Sequence, residues 1–144
     1  RFSVSRVVSF DIEKQIPEYC LHLFAHDIDL RIKNIFSEDF TTVVDKDTLH
    51  MLNFTGKKLI LCDGGNKIKE FNCLAKYLNV GDFIMAHDYS PSTEYYKEKV
   101  EGKIWNWCEI TEEPISAVSV ECGLEFHEQD EFQKIVWVCK KKVK

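Results

Sequence analysis

At 144 residues, with 44% hydrophobic, 12% aromatic and 30% charged side chains, the chain has the proportions of a single soluble globular domain rather than a disordered or fibrous one. A net charge of -5 excludes a general nucleic-acid surface, which needs a basic stripe to release counterions, and the basic run Lys140 to Lys144 reads as a solvated tail. No stretch approaches the roughly 20 apolar residues of a membrane span, and no charged-then-apolar leader opens the chain, so a cytoplasmic protein without nucleic-acid or membrane partners is expected. The chain opens on Arg1 rather than methionine, which points to a processed start or to a preceding stretch. Cys20, Cys62, Cys73, Cys108, Cys122 and Cys139 lack CxxC spacing and read as reduced core thiols.

The continuous β-branched run "SRVVSFDIE" predicts a buried strand that ends in Asp11 and Glu13. Residues from about Pro17 to His26 have helical character, with Pro17 tolerated in a first turn. "LRIKNIF" alternates and predicts a second strand, closed by "SEDF". Asp45 to Phe54 carries apolar residues at helical spacing and stops at Gly56. "KLILC" predicts a third strand and "DGGN" a turn, after which Ile68, Phe71, Ala75 and Leu78 mark one face of a helix. "DFIMA" is the fourth strand, at the distance of a right-handed crossover between parallel neighbours. Tyr95 to Val100 and Trp105 to about Val120 read as looser helices, the second interrupted by Pro114. "GLEFHEQ" and "FQKIVWVCKK", separated by an acidic turn, predict a terminal antiparallel hairpin. No repeat or low-complexity linker divides the chain, so one domain over 1–144 is expected.

The resulting order predicts an α/β fold with a Rossmann-like, mostly parallel sheet, helices on both faces and a C-terminal antiparallel β-hairpin. Ligands bind at the carboxyl ends of strands in such sheets, and Asp11, Glu38, Asp63, His87 and Asp88 fall there. Strand neighbours lie about 4.8 Å apart, so Asp63 on one strand and His87 with Asp88 on the next would share one ion. Two carboxylates and an imidazole suit magnesium or manganese, and the histidine keeps iron or zinc open. The competing use of Asp63 and Asp88 is as turn or helix-capping residues. Asp11 has the position of a ribose-binding carboxylate, or else of a helix-capping acid.

"DGG" permits close backbone approach and positive φ, but neither GxGxxG nor GxxxxGK[ST] occurs. His22, His26, His50 and His127 read as surface residues, and Trp105, Trp107, Tyr95 and Tyr96 as core or lid packing rather than a substrate pocket. Nothing supports a serine or cysteine nucleophile.

The order "VVSFDIE", "IFSEDF", "LILCDGG", "FIMAHDY" and a closing hairpin resembles the class I S-adenosylmethionine-dependent methyltransferases, in particular the metal-dependent small-molecule O-methyltransferases and cephalosporin-hydroxylase-like proteins. The resemblance implies S-adenosylmethionine and a divalent metal as cofactors. It carries ribose binding onto Asp11, adenine contact onto Glu38 with Ser37 or Asp39 nearby, and metal binding onto Asp63, His87 and Asp88. Asp63 thereby joins both the cofactor set and, with His87, the catalytic set. The family's usual doublet is Asp-Asp, Glu-Asp or Asp-Asn, from which His87-Asp88 departs, and its first strand and glycine-rich loop would precede Arg1.

The implied activity is methyl transfer to a hydroxyl of a small molecule or sugar, with a homo-oligomer left open. The alternatives are a catalytically degenerate binding or assembly module, and a metal-dependent hydroxylase or hydrolase on the same scaffold.

Overall fold

The structure, a computed structural model, describes residues 6–13 and 28–144. The helix expected from about Pro17 to His26, and with it Cys20, His22 and His26, lies outside the described residues. The first apolar run forms β1 (Val7–Asp11), which pairs in parallel with β2 (Ile28–Ile32) from Val7 opposite Ile28 to Asp11 opposite Ile32. Its continuous apolar pattern predicts burial, yet Val7 is 42% and Ile12 73% exposed. Among the described residues β1 has one neighbouring strand, β2, and of its side chains Phe10 packs against the main core.

Helix α1 (Lys46–Leu52) begins where Asp45 accepts both the backbone N–H and the hydroxyl of Thr48, the side-chain cap that an aspartate supplies to an open helix start. Lys33 holds the same carboxylate at 2.7 Å and ties the helix to the end of β2.

β3 (Leu59–Cys62) and β4 (Phe83–His87) pair in parallel, Leu59 opposite Phe83 and Cys62 opposite Ala86. The crossover is helix α2 (Lys67–Leu74), extended by a 3-10 turn over Ala75–Tyr77. Its expected apolar face is the buried one: Phe71, Ala75 and Leu78 lie in the main core with Cys62, Ile84 and Ala86. Asp82 fixes the entry into both strands. Fully buried, it accepts the backbone N–H groups of Lys58 and Asn79 and pairs with the Lys58 ammonium at 2.8 Å.

After β4 the chain turns at Asp88 and makes β5 (Tyr89–Ser90), then helix α3 (Thr93–Tyr95), which runs into a π-helical turn over Tyr96–Val100. β6 (Ile110–Thr111) pairs with β5 in parallel. Helix α4 (Glu113–Glu121) follows, with Pro114 in its first turn. The helix expected from Trp105 is therefore not there: residues 105–109 are an irregular segment. Pro114 starts the real helix instead of interrupting one, because a first-turn proline has no N–H to lose. Gly123, at φ 63°, closes α4; a Cβ there would lie 2.7 Å from the Lys144 carbonyl oxygen.

β7 (Leu124–Phe126) and β8 (Trp137–Lys142) form the expected antiparallel pair, but the link between them is a short helix, α5 (Gln129–Lys134), rather than a turn. β8 also lies antiparallel against β4, which gives the order β3-β4-β8-β7. The architecture is mixed α/β, with one four-stranded mixed sheet and the two parallel pairs β1–β2 and β5–β6.

Lys140 does not belong to a solvated tail. It is 2% exposed in β8, bonded to Glu112 at 2.5 Å and placed over the Phe126 ring, because strand alternation turns it inward. No described helix is long and apolar enough to cross a membrane.

Candidate functional site: an Asp-His-Asp cluster at the ends of β3 and β4

Because β3 and β4 run in parallel register, their carboxyl ends bring the next residues together. Asp63, His87 and Asp88 each present a ligand atom, and these atoms lie within 4.8 Å of one another. The His87 Nδ1 is 3.2 Å from Asp88 Oδ1 and 3.8 Å from Asp63 Oδ1. His87 is the last residue of β4, and its ring is held between Trp105 and Trp137, at centroid distances of 5.5 and 4.8 Å.

Neither aspartate is consumed by capping. Asn66 caps α2 by accepting the Lys69 N–H, and Ser92 caps α3 by accepting the Tyr95 N–H. Asp63 is left half-exposed beyond the end of β3. Asp88 adopts φ 59°, a left-handed conformation that aspartate tolerates better than most residues and that its surroundings fix here. What imposes it is visible: the Asp88 carbonyl accepts the N–H groups of Glu109 and Ile110, and its carboxylate is buried among donors.

Gly64 of "DGGN" is tied to the protein's own packing. Neither Gly64 nor Gly65 has positive φ. A Cβ at Gly64 would meet the Glu70 carboxylate at 2.3 Å, and that carboxylate accepts the N–H groups of Gly64 and Asn66. The turn is thereby fastened to α2.

The sequence pattern misses the residue at the centre of the cluster. Lys67, the first residue of α2 and only 6% exposed, donates to Asp88 Oδ2 at 2.9 Å and to Glu109 Oε2 at 2.5 Å, and lies 3.6 Å from Asp63 Oδ1. Burial works against its charge, but the bonds to Glu109 and Asp88 outweigh it and hold the ammonium above its ordinary value. The other Asp88 oxygen accepts the Trp105 indole N–H at 2.5 Å. Trp105 contacts Trp107 edge-on, and Trp107 is 59% exposed at the mouth of the cluster. A cleft of about 330 Å³ lined by Ile68, Thr93, Tyr96, Lys97 and Glu109 shares Glu109 with the cluster.

The remaining predicted residues stand apart from this cluster. Asp11 ends β1, and its carboxylate accepts the Glu13 N–H. Ser37 donates to Asp39 and accepts the Thr42 N–H, so it is engaged within its own turn. Hydrogen bonds from Ser37 and Thr41 hold the Asp39 carboxyl down at about 2. Glu38 is exposed in that turn rather than at the strand end proper. His50 is exposed in the last turn of α1, and the half-buried His127 ring lies against Phe83. Tyr96 is buried with Val100 and Val136.

Comparison with protein-family models, curated proteins and solved structures returns no match.

The donor set is of a kind that suits a divalent cation: two carboxylate oxygens and one imidazole nitrogen converge from two adjacent strand ends. The signal for Lys67 is faint but physical. A lysine at the first position of a helix opposes the positive end of the helix dipole, so nearby carboxylates favour its presence there.

Proposed function

We propose that the chain is a methyltransferase-like domain that moves the methyl group of S-adenosylmethionine to a hydroxyl of a small molecule or sugar, assisted by a divalent metal. The observation that carries this reading is the convergence of Asp63, His87 and Asp88 at the carboxyl ends of β3 and β4. A magnesium or manganese ion held by these residues would fix and acidify the acceptor hydroxyl. His87 serves as ligand or as general base, Trp105 and Trp137 fix its ring, and Asp63 faces the acceptor. Asp11 and Glu38 would hold the ribose and adenine, with Ser37 shaping the turn beside them. The reading takes β1–β2 and the four-stranded sheet as parts of one Rossmann-like, mostly parallel sheet.

Asp63→Ala is expected to abolish metal-dependent turnover of S-adenosylmethionine while the circular-dichroism spectrum stays native. Full turnover in that variant refutes the role.

One observation favours a second reading, a binding or assembly module without catalysis: Lys67 already neutralises Asp88 and Glu109. Calorimetry with S-adenosylmethionine and its demethylated product separates the two, since binding of neither supports the module. A hydroxylase or hydrolase is favoured only by the imidazole in the donor set, and iron rather than magnesium in the purified protein would support it.

A further inference from the structure

The carboxylates of the cluster are already paired with a cation that belongs to the chain. Lys67 Nζ lies 2.9 Å from Asp88, 2.5 Å from Glu109 and 3.6 Å from Asp63, so it touches two of the three ligands assigned to the metal. On the opposite oxygen of Asp88, the Trp105 N–H takes the second acceptor position. Each oxygen of that carboxylate therefore already accepts one donor. An ion that ligates Asp88 shares its oxygens with the ammonium, and a divalent charge at bonding distance from the same carboxylate repels Lys67. The position of Lys67 is costly by itself, since the side chain is buried and starts a helix at its positive end. Among the described residues the acids Asp63, Asp88 and Glu109 are what hold it there.

From this geometry we infer that Lys67 is an internal counter-ion that competes with the divalent metal: the ion enters the Asp63–His87–Asp88 site by displacing the Lys67 ammonium from Asp88, and Lys67 thereby sets the affinity of the site. This inference rests on the metal reading above. Once displaced from Asp88, the ammonium retains Glu109, which is half-exposed and lines the neighbouring cleft. Glu109 thus acts as the second station of the side chain, and Lys67 is a positioning residue rather than a ligand.

The test is isothermal titration of MnCl2 into the full chain and into its Lys67→Met and Lys67→Gln variants, with circular dichroism as the check on folding. Removal of the competing charge is expected to tighten Mn2+ binding by at least about ten-fold in both variants, and Asp88→Asn in the Lys67→Met background is expected to lose the gain. Wild-type binding with no gain in the variants overturns the inference and leaves the metal reading standing. No binding by the wild type or by either variant overturns both. Should both variants fail to fold, the wild type provides the measurement: the 15N ammonium resonance of Lys67 is expected to shift or vanish as MgCl2 is added. A signal unchanged at saturating MgCl2 overturns the inference.

Discussion

Replacing Asp88 by asparagine removes the charge while keeping the shape and a side chain that tolerates positive φ, so its cost reports what the carboxylate does. At 2.9 Å the Lys67–Asp88 attraction is about 6 kcal/mol for an effective dielectric of about 20. Desolvation of two buried ions cancels most of it, each ion costing several kcal/mol. The asymmetry lies in what remains after substitution. Breaking a buried pair usually costs about 3–5 kcal/mol, because the surviving charge has no partner. Here Glu109 stays at 2.5 Å, and the amide oxygen still accepts from Lys67 or Trp105 but not from both. The expected destabilisation is accordingly about 2 kcal/mol, near that of a lost hydrogen bond to a charged group. Glu109→Gln, at a side chain 46% exposed, is expected to cost below about 1 kcal/mol. Urea denaturation followed by tryptophan fluorescence and circular dichroism measures both. An Asp88→Asn variant within about 0.5 kcal/mol of wild type, or a costlier Glu109→Gln, would refute the reasoning that the buried Asp88 carboxylate matters more to stability than the half-exposed Glu109.

Burial pushes the Asp82 carboxyl up, but bonds from Lys58 and Asn79 outweigh it and hold it below its ordinary 3.8. The unfolded chain then binds more protons in that window, so the Asp82 contribution is full above 3.8 and is lost as pH falls through the depressed value. Asp82→Asn is expected to be less stable at neutral pH and to flatten the acid limb of a stability-pH curve; an unchanged limb contradicts this. Among the described residues the buried Ser90 hydroxyl has no hydrogen-bond partner, so Ser90→Ala is expected to leave stability equal or raise it by about 1 kcal/mol, read as the melting temperature. A clear loss there would reveal a partner for the hydroxyl. Burial pushes the Cys139 thiol up to about 11, and Cys62 is raised for the same reason. Alkylation at pH 8, mapped by mass spectrometry, is expected to spare both until urea is added, and native labelling of either would be a contradiction.

The strand ends were readable because charge stopping an apolar run is a local signal: "LILCD" and "FIMAHD" place Asp63, His87 and Asp88 without knowledge of the rest of the chain. The face of α2 was equally legible from its three-and-four spacing. What surrounds the cluster was not. Glu109 reaches Lys67 across 42 positions and Trp105 reaches Asp88 across 17, and neither contact leaves a periodic trace. The segment 105–109 looks helical by composition, but its backbone is drawn to the Asp88 carbonyl instead. Strand order was illegible for a related reason. A strand such as β8, apolar in its first half and lysine in its second, is compatible with either an outer or an inner place, and only its double pairing, with β4 and β7, distinguishes them.

The lone pairing of β3 has a practical corollary. Among the described residues it is bonded only to β4, and it turns Leu59 and Leu61, 62% and 53% exposed, outward at the rim of the sheet. Such a rim is a template for intermolecular β-pairing, and the exposed charges that flank it, Lys57 before and Asp63 after, are the gatekeepers that hinder it. Solutions at high ionic strength, where these charges are screened, are therefore the ones in which concentrated preparations should turn cloudy first.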